Sequence, residues 1–158
     1  MPVETASVTG RRTIRFSNFD EILADVEQLA AARSVRVLGN WSFGQILWHL
    51  AKVMNASIDG TTIQWTTPPP LIPEAIKRRV LSGSMRPGFK LPPDAAKELE
   101  PPPTSTEDGL RLFRAAVGRQ KSETNREPNP FFGPLTRDEW DLLHCRHAEM
   151  HLSFVLPE

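Results

Sequence analysis

The sequence predicts an all-α protein, a four-helix bundle with a long proline-rich crossover between its second and third helices. Three observations support this fold class. Four segments repeat apolar residues at helical spacing, and each follows residues typical of a helix start. Period-two alternation, which marks half-buried strands, is nearly absent. Most of the fifteen prolines cluster between Thr66 and Ser105, so this stretch cannot be one regular helix or a central strand.

The first two helices are predicted from their start signals and the apolar repeats that follow. Asn18 is a suitable cap for the first helix, whose apolar residues recur over 19–29. The second begins at a capping box formed by Ser42 and Gln45, and its apolar repeat covers 43–54. Because the connection between them is short, we expect these two helices to be antiparallel neighbours.

The remaining two helices have similar signals. The third is predicted to begin at the box TSTE, residues 104–107, and the fourth at the box of Thr136 and Glu139, with apolar residues as far as Phe154. Trp41, just before the second helix, is expected to act as a hydrophobic staple for that helix start.

The crossover contains one basic segment, PEAIKRRVL, that could form two or three helical turns. Two hypotheses remain open for it. It is either a surface helix with its cations in water, or a lid or anion contact that uses Lys77, Arg78 and Arg79.

Length and charge restrict the function classes. The 158 residues suit one domain, 1–158, in which residues 1–12 are expected to be a flexible N-terminal tail. A composition of 39% apolar and 24% charged residues is typical of a soluble globular protein. The 19 basic and 19 acidic residues cancel, which argues against nucleic acid or a membrane surface as a partner.

The single cysteine and the lack of long apolar runs indicate the cellular compartment in which the protein is expected. Cys145 has no intramolecular disulfide partner, which fits a reducing compartment. No stretch approaches the roughly 18 consecutive apolar residues of a membrane helix. We therefore expect a cytoplasmic protein. Cys145 is also a poor nucleophile candidate, because it lies about 120° from His151 around the helix.

Three of the four histidines lie in the segment LHCRHAEMHL, residues 143–152. On a helix, His144, His147 and His151 fall within about 60° of one another, on the face that carries the apolar residues. We therefore expect them to point inward, and Arg146 and Glu149 to point away from that face. Inward imidazoles need polar partners, since burying an unpaired polar group is costly.

Helix geometry limits how these histidines could bind a metal. His144 and His151 lie about 10 Å apart along the axis, too far for bonds of about 2 Å to one ion. His147 and His151 have the i, i+4 spacing of helix-borne zinc sites, and His49 on the second helix is the candidate third ligand. No HExxH motif is present, which argues against a zincin-type protease. Spacing alone leaves open that these are satisfied core histidines.

Two segments carry a family resemblance. The stretch NWSFGQILWHLAK, followed far downstream by GPLTRDEWDLLHCRHAEMHLSF, resembles the DinB-like superfamily, also called YfiT-like. The resemblance covers about Arg12 to Phe154, includes GFKLP at 88–92, and is strongest for a domain-of-unknown-function branch.

The resemblance implies a four-helix bundle with a long crossover between helices 2 and 3. It also implies a divalent metal ion held by His49, His147 and His151, with His144 outside this set as a core residue or as a partner of a ligand. Zinc and nickel are the favoured ions, although imidazole also suits copper and iron.

The resemblance further implies a metal-dependent enzyme acting on a small molecule, either a thiol-dependent transferase or isomerase, or a hydrolase. A low-molecular-weight thiol is then a candidate substrate. No catalytic residue beyond the ligands can be assigned, because Asp141 and Glu149 fall off the histidine face, which leaves open a carboxylate from another helix. The alternative is a non-catalytic bundle that binds a ligand or forms a homodimer, for which Trp48 and Trp65 are candidate interface anchors.

Overall fold

The computed structural model describes all residues, 1–158, and is mostly helical, with six α-helices and one two-stranded sheet. A single 3₁₀ turn, Thr5–Ser7, precedes them. The elements in chain order are α1 (Phe19–Ala31), β1 (Val35–Val37), α2 (Phe43–Asp59), α3 (Glu74–Ser82), α4 (Pro93–Leu99), α5 (Thr106–Ser122), α6 (Arg137–Leu152) and β2 (Val155–Pro157). The predominance of helix is confirmed. None of the six helices has the length and apolar character needed to cross a membrane.

The helix starts predicted from local signals are largely confirmed. Ser42 and Gln45 form a complete capping box at the start of α2, and Thr136 and Glu139 form one at the start of α6. The side chain of Asn18 caps α1. These boxes satisfy backbone N–H groups that would otherwise lack partners, so they fix where the two histidine-bearing helices begin.

The start of α5 is displaced by one residue from its predicted position. Ser105 is the cap and accepts from the backbone N–H of Asp108. Thr104, the predicted cap, donates its hydroxyl to the carbonyl of Pro102 at 2.8 Å instead. Two adjacent hydroxyl residues can both act as caps, and in this structure Ser105 does so.

The four long helices share one core, but their neighbours differ from expectation. α2 packs against α5 and α6, and α1 also packs against α5 and α6. The expectation that α1 and α2 are antiparallel neighbours is wrong, since neither has the other as a main contact. Their connection contains β1, which pairs antiparallel with β2 at the C-terminus, so the chain does not turn directly from one helix into the other.

Two glycines allow α2 and α5 to approach closely. A Cβ on Gly44 would meet the backbone of Thr104 and Ser105, and a Cβ on Gly109 would lie 2.5 Å from the carbonyl oxygen of Gly44. Neither position has room for a side chain. This contact fixes α2 against its neighbour and so fixes the direction in which His49 faces.

α6 is also buried on the side that carries Arg146 and Glu149, which were expected to point away from the histidine face. Arg146 and Glu149 are only 2% and 7% exposed. Arg146 donates to the carbonyl of Phe16 at 2.7 Å, Glu149 accepts from the N–H of Phe16 at 2.8 Å, and the two side chains pair at 3.2 Å. Their burial was not predicted, because the segment before α1 covers this face and the pattern of one helix cannot reveal that contact.

The crossover between α2 and α5 lies against the long helices, with α3 on α6 and α4 on α2. The predicted short helix in its basic segment is confirmed as α3, whereas α4 was not predicted, although Pro93 at its first position suits a helix start. Lys77 of α3 is buried and pairs with Glu74 at 2.8 Å and with Glu139 of α6 at 3.0 Å. This pairing holds α3 against the start of α6.

The N-terminal segment has contacts with the rest of the chain. Val3 and Asn40 exchange two hydrogen bonds of 2.6 and 2.9 Å. Arg12 pairs with Asp25 of α1 at 2.8 Å. The flexibility expected for residues 1–12 stays a prediction.

Candidate metal centre

The fold brings together three histidines from two helices. His49 lies on α2, and His147 and His151 lie one turn apart on α6. The Nε2 atom of His147 is 3.2 Å from Nε2 of His49 and 3.1 Å from Nε2 of His151. Ligand nitrogens from the three residues all lie within 4.8 Å of one another, close enough to hold one metal ion.

Two of the three nitrogen separations fit the donor set of a divalent ion. With metal–nitrogen bonds of about 2.0–2.1 Å, ligand nitrogens are separated by roughly 3.3 Å in a tetrahedral site and roughly 3.0 Å at right angles. The two Nε2 separations of 3.1 and 3.2 Å lie between these values. The nitrogens of the third pair, His49 and His151, lie within 4.8 Å of each other, so two of the three separations match those of a bound ion.

One carbonyl fixes the tautomer of His49. Its Nδ1 lies 2.8 Å from the backbone oxygen of Leu99, the last residue of α4. A carbonyl only accepts, so Nδ1 carries the proton and Nε2 presents a lone pair to His147. Metal-binding histidines are oriented in this way, by a carbonyl or carboxylate at the other ring nitrogen. The helix that the sequence did not predict thus orients a candidate ligand.

The three imidazoles cannot satisfy one another by hydrogen bonds alone. Since Nε2 of His49 has no proton, His147 has at most one Nε2 proton for its two imidazole neighbours. A cation between the nitrogens would satisfy every lone pair. Unprotonated imidazole nitrogens gathered this closely are the donor set of a metal site.

The surrounding protein keeps the triad uncharged. Burial lowers the pKa of His49 to about 4, against the opposing effect of its bond to Leu99. Burial also holds the pKa values of His147 and His151 well below the ordinary range, and neighbouring imidazoles lower them further. At neutral pH all three are therefore in the form that binds metals.

Trp41 forms a wall of the site. Its indole stacks on His151, with ring centroids 5.5 Å apart and planes at 16°, and lies 4.9 Å from the ring of His49. The sequence identified Trp41 only as a helix staple. Its contact with α6 joins residues more than a hundred positions apart, so no local spacing could have predicted it.

A cavity of about 540 Å³ opens beside the triad, and all three histidines line it. The crossover, the α5–α6 connection and α6 supply apolar walls that include Ile76, Val80, Phe89, Phe131, Trp140 and Leu143. No Asp or Glu lines the cavity. Asp141 and Glu149 were expected to lie off the histidine face. Neither of them lines the cavity, which agrees with that expectation.

A second cavity of about 400 Å³ lies beside the first. It is lined by the N-terminal residues 2–5 and by Lys90, and it shares Trp41, Phe89, Met150 and His151 with the larger cavity. His151 is therefore reached from two spaces.

His144 has a protein partner of its own and does not join the triad. Its Nε2 lies 3.1 Å from Oγ of Ser57, whose hydroxyl proton is donated to Met54 at 2.6 Å. Nε2 therefore carries a proton and donates to that oxygen. The ring is 2% exposed and stacks on Trp140 at 5.2 Å. Of the two roles left open, a core residue is the one that these contacts favour.

Cys145 is buried and has no reactive character. It is 1% exposed, and burial together with the carboxylates of Glu149 and Asp141 raises its thiol pKa to about 12. A thiol that is protonated at neutral pH is a weak nucleophile, so Cys145 does not serve the site.

Comparison with known proteins gives one result. No curated protein and no solved structure matches the chain. Residues 8–158 match the family described as "Protein of unknown function (DUF1569)", and His49, His147 and His151 all lie within the matched range. Since the match covers nearly the whole chain, the protein belongs to the DUF1569 family.

Proposed function

We propose that the protein is a metal-dependent enzyme that acts on a small molecule through a divalent ion held by His49, His147 and His151. The observation that carries the proposal is the convergence of three imidazole Nε2 atoms, at 3.1 and 3.2 Å, on the wall of a cavity. Structural zinc sites use four protein ligands, whereas three protein ligands leave a position for water or substrate.

The chain's own residues prepare this site in three ways. Leu99 holds the His49 ring in the binding tautomer, burial keeps the imidazoles uncharged, and Trp41 covers the rings of His49 and His151. A bound divalent ion supplies a Lewis acid that lowers the pKa of a water or thiol at its open position. Zinc and nickel are our first candidates, because the proposed protein ligands are all imidazoles.

Thiol transfer fits the larger cavity better than hydrolysis does, whereas the smaller cavity has one carboxylate, that of Glu4, in its lining. No carboxylate lines the larger cavity, so the chain offers no general base there to activate water. A thiol needs less assistance, since its pKa lies closer to neutrality. The two cavities that share His151 suit a reaction with two substrates. We therefore place a thiol-dependent transferase or isomerase first and a hydrolase second.

We also propose that the fold is a DinB-like four-helix bundle. α1, α2, α5 and α6 would be its helices, and α3 and α4 would belong to the crossover. The contacts of α1 and α2 with both α5 and α6, together with their shared core, support this arrangement.

Cobalt substitution tests the proposed function without knowledge of the second substrate. Cobalt(II) loaded into the wild type should develop a near-ultraviolet thiolate band when glutathione or cysteine is added, because the thiol enters the open position. His151→Ala should show no band. His144→Gln is the matched control on the same helix and should retain it.

The outcomes separate the reaction classes. Hydrolysis of nitrophenyl acetate without a thiolate band would favour the hydrolase. Bound cobalt with neither response would favour the alternative, a non-catalytic ligand-binding bundle. The homodimer expected from Trp48 and Trp65 stays a prediction, and Trp65 already has an intrachain partner in Phe131 at 6.1 Å.

A further inference from the structure

We infer that the larger cavity binds a small amphiphilic anion, with an apolar body against the crossover and an acidic group held by Arg79 and Arg86. The inference names the substrate class of the proposed site and in that sense rests on the proposed function. The arginines do not depend on the metal, so the two can be tested separately.

Two of the three cations in the basic segment of α3 pair with carboxylates, and the third does not. Lys77 pairs with Glu74 and Glu139, and Arg78 pairs with Glu74 at 3.3 Å. Arg79 lines the cavity, is exposed, and has no carboxylate partner. Of the two hypotheses for this segment, an anion contact is therefore supported for Arg79 alone.

Arg86 supplies a second cation to the same space. It follows α3 in the chain, lines the cavity, is exposed, and has no carboxylate partner. Since no Asp or Glu lines the cavity, the protein offers no counter-charge to either guanidinium there. Two unpaired guanidinium groups at one cavity favour a ligand with an oxyanion, which the arginine fork binds by paired hydrogen bonds.

The remaining lining requires an apolar body on this anion. Fifteen of the 26 lining residues are hydrophobic. Ile76 and Phe89 also line the cavity, yet they are 47% and 68% exposed. The volume of about 540 Å³ suits a small organic ligand. A bare inorganic anion would leave this apolar surface in water.

Three probes separate charge from apolar contact. Octanoate offers both, octanamide keeps the chain without the charge, and acetate keeps the charge without the chain. With chelator-treated, metal-free protein, calorimetry should show octanoate binding about a hundredfold more tightly than octanamide, because each of the two charge-assisted interactions contributes about tenfold. Acetate should bind far more weakly than octanoate.

Single substitutions identify the groups responsible. Arg79→Gln and Arg86→Gln should each weaken octanoate binding by roughly tenfold and leave octanamide binding unchanged. Arg78→Gln is the matched control, because Arg78 is adjacent in sequence but pairs with Glu74 and does not line the cavity. It should bind octanoate as the wild type does.

The opposite results overturn the inference. Equal affinity for octanoate and octanamide, or arginine variants that bind octanoate normally, would remove the anion site. If octanoate binds only to metal-loaded protein and His151→Ala abolishes it, the carboxylate binds the ion, and the proposed function survives without this inference. Arginine-dependent binding in a protein that takes up no metal would leave the inference standing and the proposed enzyme refuted.

Discussion

His144 and His147 lie on neighbouring turns of α6, yet their imidazoles have different surroundings. Nε2 of His144 faces the hydroxyl of Ser57 at 3.1 Å and has a normal hydrogen-bond partner. Nε2 of His147 faces only other imidazoles, at 3.1 and 3.2 Å. The comparison teaches that an inward position does not distinguish a ligand from a core residue. The group opposite the ring nitrogen does.

The largest expected effect separates the two kinds of histidine by their response to metal. An ion that binds only the folded state raises the free energy of unfolding by about 4 kcal/mol when its free concentration is a thousand times its dissociation constant. For a domain of this size that corresponds to a rise in Tm of roughly 10 °C. Thermal unfolding with zinc and with chelator should show this rise for the wild type and for His144→Gln. His151→Ala should show no rise in Tm. A full rise in that variant would show that His151 is not a metal ligand and does not differ from His144 in this respect.

A smaller effect concerns the pH dependence of the metal-free protein. His144 has a pKa lowered to about 3 by burial, against an ordinary value of 6.5, so between these values the unfolded chain binds a proton that the folded chain does not. Stability is therefore lost as pH falls below 6.5. Between pH 7 and pH 5 this histidine alone should contribute a loss of about 2 kcal/mol.

Urea unfolding at the two pH values measures this loss. His144→Gln should have a shallower pH dependence than the wild type by about that amount, since one buried histidine is removed. Identical pH dependence in the two proteins would show that His144 titrates normally and that its assignment as a buried core residue is wrong.

The smallest effect tests the partner of His144 directly. Ser57→Ala removes the oxygen that accepts from His144 and from Gln120, which donates to it at 3.0 Å. Loss of a buried acceptor should reduce the free energy of unfolding by about 1–2 kcal/mol. Metal content should not change, because Ser57 has no contact with the triad nitrogens. Loss of metal in this variant would show that the His144–Ser57 pair supports the metal site, contrary to the comparison.

The parts of the site that the sequence predicted depend on short-range geometry. The capping boxes at Ser42 and Thr136 fix the helix starts from residues three apart. The pairing of His147 and His151 follows from the helix repeat. His49 was a candidate because it flanks the apolar stripe of a second helix. The DinB-like resemblance then grouped it with the other two.

The parts that could not be predicted depend on contacts between distant segments. Leu99 orients His49 through its backbone carbonyl, which has no side-chain signature in the sequence. Trp41 reaches α6 across the fold. Arg146 and Glu149 are buried because the backbone of Phe16 covers them. Periodicity describes one helix at a time, so it cannot say which neighbour covers each face.

The most direct test of the central claim is the metal content of three proteins measured by elemental analysis after reconstitution with zinc and gel filtration. The wild type and His144→Gln should each hold close to one ion per chain, whereas His147→Ala should hold almost none. Circular dichroism should show that all three remain helical. A full equivalent of zinc in His147→Ala, or no zinc in the wild type, would contradict the assignment of His49, His147 and His151 as a metal site.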